Sequence, residues 1–206
     1  MRVVERQGDP ASDFAGVGGD VQYVRSEIEG AVYRGIIKDV TLSFNMSAGI
    51  IEGWGGDSVR INDRFFKGGN SFRGFDAAGI GPRELYTNNK TGAVTRGDAL
   101  GGKGYAIGAF ELSFPLGLPE QYGISGSLFT EFGTLGILDS KDKVAPISDG
   151  TNTLTVVDDA SIRASAGVSV FWDSPFGPVR FDFSKPLAKE DYDETQGFRF
   201  TSRTQF

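Results

Sequence analysis

The chain has 206 residues, 39% of them hydrophobic and 12% aromatic, with a formal net charge of −6; this apolar content excludes general disorder, and the acidic balance leaves no basic footprint for nucleic acid. It contains no histidine and no cysteine, which excludes chemistry built on either residue and most zinc sites, and leaves the redox compartment open. No apolar run reaches the ~18 residues of a membrane-crossing helix, and the opening MRVVERQGDPASDF lacks the apolar core of a signal peptide, so either the chain is cytosolic or its targeting segment is missing.

The side chains of a strand point alternately to its two faces, so comparing odd with even positions predicts strands. Residues 2–7 are a candidate first strand, and residues 21–34 alternate weakly. Between 39 and 51 the contrast is sharp: Val40, Leu42, Phe44, Met46, Ala48 and Ile50 oppose Asp39, Thr41, Ser43, Asn45 and Ser47. Residues 104–116 and 122–138 alternate less cleanly. The pattern returns at 160–173, where Ile162, Ala164, Val168, Val170 and Trp172 oppose Arg163, Ser165, Ser169 and Asp173. Val179, Phe181 and Phe183 then oppose Arg180, Asp182 and Ser184, and finally Phe198, Phe200 and Phe206 oppose Arg199, Thr201 and Arg203.

These make seven strands, with the segment at 2–7 an eighth. Several exceed ten residues, whereas strands of soluble proteins average about five or six and a tilted membrane-spanning strand needs about 9–11. Connections are short at 35–38, 117–121 and 174–177 and long at 53–103 and 139–159, the asymmetry of an outer-membrane barrel with tight periplasmic turns and long outer loops. The predicted fold class is therefore all-β, made of antiparallel transmembrane β-barrel strands. A soluble β-sandwich also alternates and is the competing architecture. If the barrel is right, an added cation at Val168 is costly in lipid and one at Ser169, on the inner face, is mild.

Two motifs fail on context. GDALGGKG, at 97–104, approaches a phosphate-binding loop, but Gly104 stands where a Ser or Thr is needed and a strand follows instead of a helix. Asp139, Asp142, Asp149, Asp158 and Asp159 lack the regular spacing of a calcium loop and are expected in a solvated outer loop. No metal or cofactor is expected.

The stretch GGNSFRGFDAAGIGP, at 68–82, holds five glycines and a lone arginine, Arg73. Its SFRGF, taken with LFTEFGTLG (128–136), WDSPFGPVRFDFSKPL (172–187) and the terminal FRFTSRTQF (198–206), resembles the C-terminal part of the BamA family of outer-membrane protein assembly factors. The likeness runs from about residue 16 to residue 206 and corresponds to roughly the second half of that family's sixteen-stranded barrel. It implies a protein of the outer membrane of a Gram-negative bacterium that inserts and folds other β-barrel proteins without a chemical step or a cofactor. Its partners would be outer-membrane lipid, nascent β-barrel substrates and accessory assembly lipoproteins, the last through periplasmic domains. Those domains, a signal peptide and the first half of the barrel are absent from these residues, so the chain is expected to be a fragment or a truncated product.

The resemblance also assigns a site. The segment 53–103 corresponds to a long loop that folds into the lumen, and Phe72, Arg73, Gly74 and Phe75 match its tip, with Phe72 where the family usually has Val or Ile. The tip arginine meets an acidic residue of the wall. Glu131 takes that place, where the family has aspartate, and its parity with Gly123, Ser125 and Ser127 turns it inward; Asp173 is the second choice. A bidentate bond is expected, because a partly desolvated guanidinium left unpaired costs several kcal/mol. Residues 196–206 match a C-terminal signal strand in which Phe198, Phe200 and Phe206 face lipid and Phe206 ends the chain. The alternatives are the related two-partner-secretion export pore, which shares the Arg-Gly-aromatic tip, and a small passive pore, which has no use for a locked arginine. An enzyme is not expected: no nucleophile with a base is visible, and lumen carboxylates such as Glu111 and Glu131 have a structural explanation.

Overall fold

A computed structural model describes residues 2–6, 22–55, 57–140, 142–143, 147–175 and 177–202, with backbone alone at 2–6 and at 120. In chain order its strands are β1 (Arg2–Arg6), β2 (Tyr23–Ile37), β3 (Val40–Gly53), β4 (Gly74–Phe75), β5 (Arg83–Asn88), β6 (Val94–Ala99), β7 (Gly104–Pro115), β8 (Ile124–Gly136), β9 (Ile147–Ser148), β10 (Asn152–Val157), β11 (Arg163–Ser174), β12 (Gly177–Ala188), β13 (Thr195–Gln196) and β14 (Phe198–Ser202). Eight of them form one sheet in the order β1-β2-β3-β7-β8-β11-β12-β14. Every pairing in it is antiparallel, so the wall is an up-and-down meander whose edges are β1 and β14. The eighth strand expected at the start of the chain is β1.

The six inner strands of this wall run 12 to 15 residues, and around β3 and β11 the burial is the reverse of a soluble core. Leu42, Met46 and Ile50 of β3 are exposed while Ser43 is buried. Ile162, Val168 and Trp172 are exposed while Arg163, Ser165 and Ser169 are buried. A sandwich would bury the first set, so the inversion identifies a wall that meets lipid outside and polar contents inside. From Ala164 to Ser174 a strand rising about 3.3 Å per residue and tilted by about 40° covers roughly 25 Å, the height of the apolar band of such barrels. Aromatic side chains tie neighbouring strands together on that outer face. Phe44 and Phe110 lie 4.7 Å apart between ring centroids, Phe181 and Phe200 5.3 Å, and Phe183 and Phe198 5.2 Å. Phe206 lies outside the described residues.

The weaker alternation of β7 and β8 has a packing cause. Their inward odd positions include Tyr105, Ile107 and Leu135, which join Ile51 of β3 and Val59, Phe65, Phe72, Phe75 and Ile80 of the long loop in one buried cluster. Where the loop packs, the inner face is apolar too. Strand β12 extends beyond the expected Ser184 to Ala188. It passes Pro186, which cannot donate to a ladder, and the pairing slips there, with Ser165 opposite Pro186 but Ala164 opposite Ala188.

Both long connections are structured. β5 and β6 from the first and β9 and β10 from the second form a four-stranded sheet, β6-β5-β10-β9. Of the acidic residues expected in solvent, Asp149 and Asp159 are exposed, while Asp139, Asp142 and Asp158 hold this assembly. Asp142 accepts from Arg64 at 2.6 Å, Asp139 pairs with Lys103 at 2.6 Å, and Asp158 accepts from the backbone of Ile137 and Leu138 at 3.0 Å each. The lysine of the discarded phosphate-loop motif is thus a buried structural cation.

Val168 sits near the middle of the lipid band, so Val168→Arg should destabilise the chain in a bilayer by about 2–4 kcal/mol. Asn45→Arg, on an inner face that borders a cavity, should cost a small fraction of that. Equilibrium unfolding from lipid vesicles compares the two, and equal losses would mean that the faces are misassigned.

Candidate functional site

Residues 53–103 leave the end of β3 and return into the wall as β7, and the two ends of this excursion are pinned together. Phe65 and Gly102 exchange backbone hydrogen bonds of 2.9 Å, and Lys103 donates to Glu52 at 3.0 Å. Beyond this root the chain turns inward. Gly68 has φ of 128° and Gly74 of 91°, conformations that side chains with a Cβ rarely adopt. Gly74 also lies flat against the wall: a Cβ there would stand 2.8 Å from the Cβ of Ser165. Phe72 and Phe75 on either side of the tip are fully buried, 5.0 Å apart between centroids. Each should contribute about 1.5–3 kcal/mol by removal from water.

Between them Arg73 enters a polar seat with 5% of its surface exposed. Its backbone N–H donates to Glu131 Oε2 at 2.6 Å and its Nε to Glu131 Oε1 at 2.5 Å. One terminal nitrogen donates to Glu111 at 3.0 Å. The other donates to Ser169 at 3.2 Å and lies 3.8 Å from Asp182. The guanidinium carbon stands 3.5 Å from the centroid of Phe129, a stacked cation–π contact, and the Arg73 carbonyl accepts from Ser165 at 2.6 Å. The surrounding groups are held in turn. Ser127 donates to Glu111 at 2.5 Å, Ser169 to Asp182 at 2.6 Å, and Arg180 to Asp182 at 2.9 Å.

Strand register assembles this seat. On β8, Ser127, Phe129 and Glu131 point inward in succession. Glu111 of β7 lies opposite Phe129, Ser165 of β11 opposite Glu131, and Asp182 of β12 opposite Ser169. The sequence therefore places Arg73 and Glu131 together, but the bond differs from the expected fork. Glu131 takes the side-chain Nε and the backbone N–H of Arg73, and the terminal nitrogens go to other acceptors. Asp173 is not a partner: it is exposed, four residues along β11 from Ser169 and so about 13 Å further down the wall, and its N–H donates to Gly123 O at 2.8 Å. Sequence reasoning missed Glu111, Asp182, Ser169 and Phe129 as parts of the seat. Their inward parity was visible, but their height relative to the loop tip was not. Ser169, 1% exposed and bonded at the centre of the seat, is also no position for a mild change to arginine. Phe198 and Phe200 lie on the lipid face of β14, exposed and away from the seat.

This arrangement holds a loop in place. Comparison with known proteins gives it a context. The family model of the Omp85 superfamily domain matches residues 9–206. The outer membrane protein assembly factor BamA of Neorickettsia risticii is 34% identical over 188 residues, 91% of this chain and 22% of that protein. BamA of Neisseria meningitidis is 28% identical over 207 residues, 95% of this chain and 25% of the other. The crystal structure of BamA from Haemophilus ducreyi lacking POTRA domains 1-3 superposes with a TM-score of 0.68 at 25% identity, covering 93% of this chain and 35% of that one. The chain thus spans only about a quarter of the length of the curated relatives it matches.

Two outcomes follow from this geometry. Burial raises the Asp139 carboxyl, but the hydrogen bond and charge of Lys103 outweigh it and hold the group below its usual value. Its contribution to the loop root is complete above about pH 4, the range of a free carboxyl, and is lost as pH falls through the depressed value. Proteolysis of residues 53–66 should rise in that acid range, and Asp139→Asn should show the raised cleavage already at neutral pH. At the seat, Arg73→Ala leaves three carboxylates facing one another and should cost about 3–5 kcal/mol, and Arg73→Lys should recover only part because lysine cannot reach all the acceptors at once. Glu131→Gln alone should cost less, since Glu111 and Asp182 still compensate the cation. Added to Arg73→Ala it should cost little or partly rescue. Unfolding in lipid and protease access to residues 68–82 measure this series, and additive losses would show that the two side chains act independently.

Proposed function

The chain belongs to the Omp85 superfamily, and from that premise we propose that it is the C-terminal barrel part of an outer-membrane factor that inserts and folds other β-barrel proteins, working without chemical catalysis or a cofactor. The observation that carries this reading is the seated tip. An Arg-Gly-Phe turn is held inside a lipid-facing wall by a dedicated set of carboxylates, in a chain whose relatives are named outer membrane protein assembly factors. A passive pore gains nothing from this, because filling the lumen with a loop obstructs conduction.

The physical task such a factor performs is clear from the cost of a membrane edge. An incoming strand cannot leave its N–H and C=O groups unpaired in hydrocarbon, where each costs several kcal/mol. A wall with an edge strand gives it a template on which to pair before it meets lipid. In this reading the β14 end of the wall, with Phe198 and Phe200 toward lipid, is one such edge, and outer-membrane lipid and nascent β-barrels are the partners. Accessory lipoproteins are proposed as further partners, bound through periplasmic domains outside these 206 residues. The seated loop keeps the inner wall rigid while that edge works.

The test uses the full-length protein in liposomes of outer-membrane lipid. An unfolded client barrel should become protease-resistant several-fold faster than in protein-free liposomes, and Arg73→Ala should lose most of the gain. Clients that fold no faster, in vesicles that leak ions, would make the protein a pore instead.

A further inference from the structure

We propose that the arginine loop and the upper part of the last described strand form one cooperative unit, so that unseating Arg73 and detaching residues 194–202 from the wall are a single event. This rests on the assembly reading only for its consequence, since the coupling itself is a property of the fold.

The starting observation is that the chain leading into β14 is bonded to the loop as well as to the wall. Among the described residues its ladder with β12 runs from Phe183 opposite Phe198 to Val179 opposite Ser202. Above this, Ser184 of β12 still holds the chain, donating its N–H to Gly197 O at 2.8 Å and its hydroxyl to Gln196 O at 3.3 Å, and on its other side the chain meets the loop. Thr195 pairs with Phe75 and Gln196 with Gly74, the residues that follow Arg73 directly. Two further backbone bonds extend the strip: Asp76 N–H donates to Glu194 O and Glu194 N–H to Gly79 O, each at 2.9 Å. The approach is close, since a Cβ on Gly79 would stand 2.5 Å from Glu194 O. Side chains add to it. Arg83 binds the Glu194 carboxylate, Arg96 donates to Asp191 O at 2.7 Å, and Thr201 donates to Asn70 at 3.2 Å. The seated loop is therefore a second partner of this part of the chain beside the wall.

One residue earlier the same segment is fixed to the barrel. Asp193 accepts from Arg163 Nε at 3.0 Å and from a terminal nitrogen of Arg163 at 3.2 Å, and neither side chain has measurable exposure. Arg163 also donates to the carbonyls of Asp159 and Ser161 and to the Tyr192 hydroxyl. Separating a buried, fully bonded pair is strongly unfavourable, so Asp193 is the fixed end about which residues 194–202 move. If the tip leaves its seat, Gly74 to Gly79 leave the strip. Residues 194–196 then lose their backbone bonds to the loop, and an edge strand paired on one side remains, which is the kind of element that opens locally. Linkage makes the converse equally necessary: weakening the strip must weaken retention of Arg73.

Hydrogen exchange of the full-length protein in lipid vesicles tests the unit, with Arg73→Ala and, as a milder variant that keeps the cation, Glu131→Gln. Both should accelerate exchange by about tenfold or more at residues 194–202 as well as at 74–79, with β7 and β8 unchanged. In the reverse direction, Glu194→Pro removes the donor to Gly79 and should speed exchange at 72–76, while Glu194→Gln, which keeps the backbone strip, should have a smaller effect. Acceleration at 74–79 with residues 194–202 still protected overturns the proposal, as does a Glu194→Pro protein whose loop tip exchanges like the wild type. Exchange is read without any client, so joint exchange in a protein that fails to fold clients would refute only the assembly reading, and client folding with exchange confined to the loop would refute only the coupling.

Discussion

A single guanidinium, carried to the inside of the wall on a glycine-rich loop, organises the interior of this protein. Arg73 has to be compensated because it is almost wholly withdrawn from water, and an unpaired charge in such a place costs several kcal/mol. Three carboxylates from three different strands meet that need: Glu111 of β7, Glu131 of β8 and Asp182 of β12. The dependence runs both ways. Without the arginine, those carboxylates would repel one another across a few ångströms of poorly solvated space. The loop and the inner wall are therefore complementary halves of one electrostatic structure, and Gly74 allows them to meet by bringing its backbone against Ser165.

The outer face obeys a different constraint. Lipid offers no hydrogen bonds, so the wall presents Val, Ile, Leu, Phe and Trp to it and keeps every strand paired through its length where a neighbour exists. This explains why the exposed residues are apolar and why the buried residues include arginine, aspartate and serine. The protein nevertheless has an apolar core of the ordinary kind, where Phe65, Phe72, Phe75 and Ile80 pack on Tyr105, Ile107 and Leu135. That core joins loop to wall. Hydrophobic burial fixes the loop's depth in the barrel, and the ion pairs at Arg73 fix its orientation.

Tying the loop at several points has dynamic consequences. Its root is held by Lys103 and Arg64, its middle by the β5–β10 pairing, and its tip by the seat, whereas the described part of β14 pairs with the wall along one side and the chain entering it rests on the loop as well. Stability is thus unevenly distributed. The long strands from β2 to β12 form the rigid part, and the strip between residues 74–79 and 194–196 joins the seat to the edge where an assembly factor would do its work.

Much of this was legible in the residues themselves. Period-two alternation at 39–51 and 160–173 gave the strands and their faces, because a pleated strand cannot do otherwise. Loop lengths gave the two ends of the barrel, and the sequence around Arg73 with the inward parity of Glu131 gave the central pair. Height along the wall was not legible. Asp173 and Asp182 both have inward parity, but the register that pairs Ser174 with Gly177 sets Asp182 beside Ser169 and leaves Asp173 four residues away, opposite Pro178. Only the depth to which the loop descends, decided by its packing on the inner wall, selects between them. The role of Glu111, the buried pair of Arg163 and Asp193, and the strip between β4 and β13 likewise depend on contacts between residues tens to more than a hundred positions apart. A local pattern determines which way a side chain points; what it meets there is decided by the register and packing of the whole barrel.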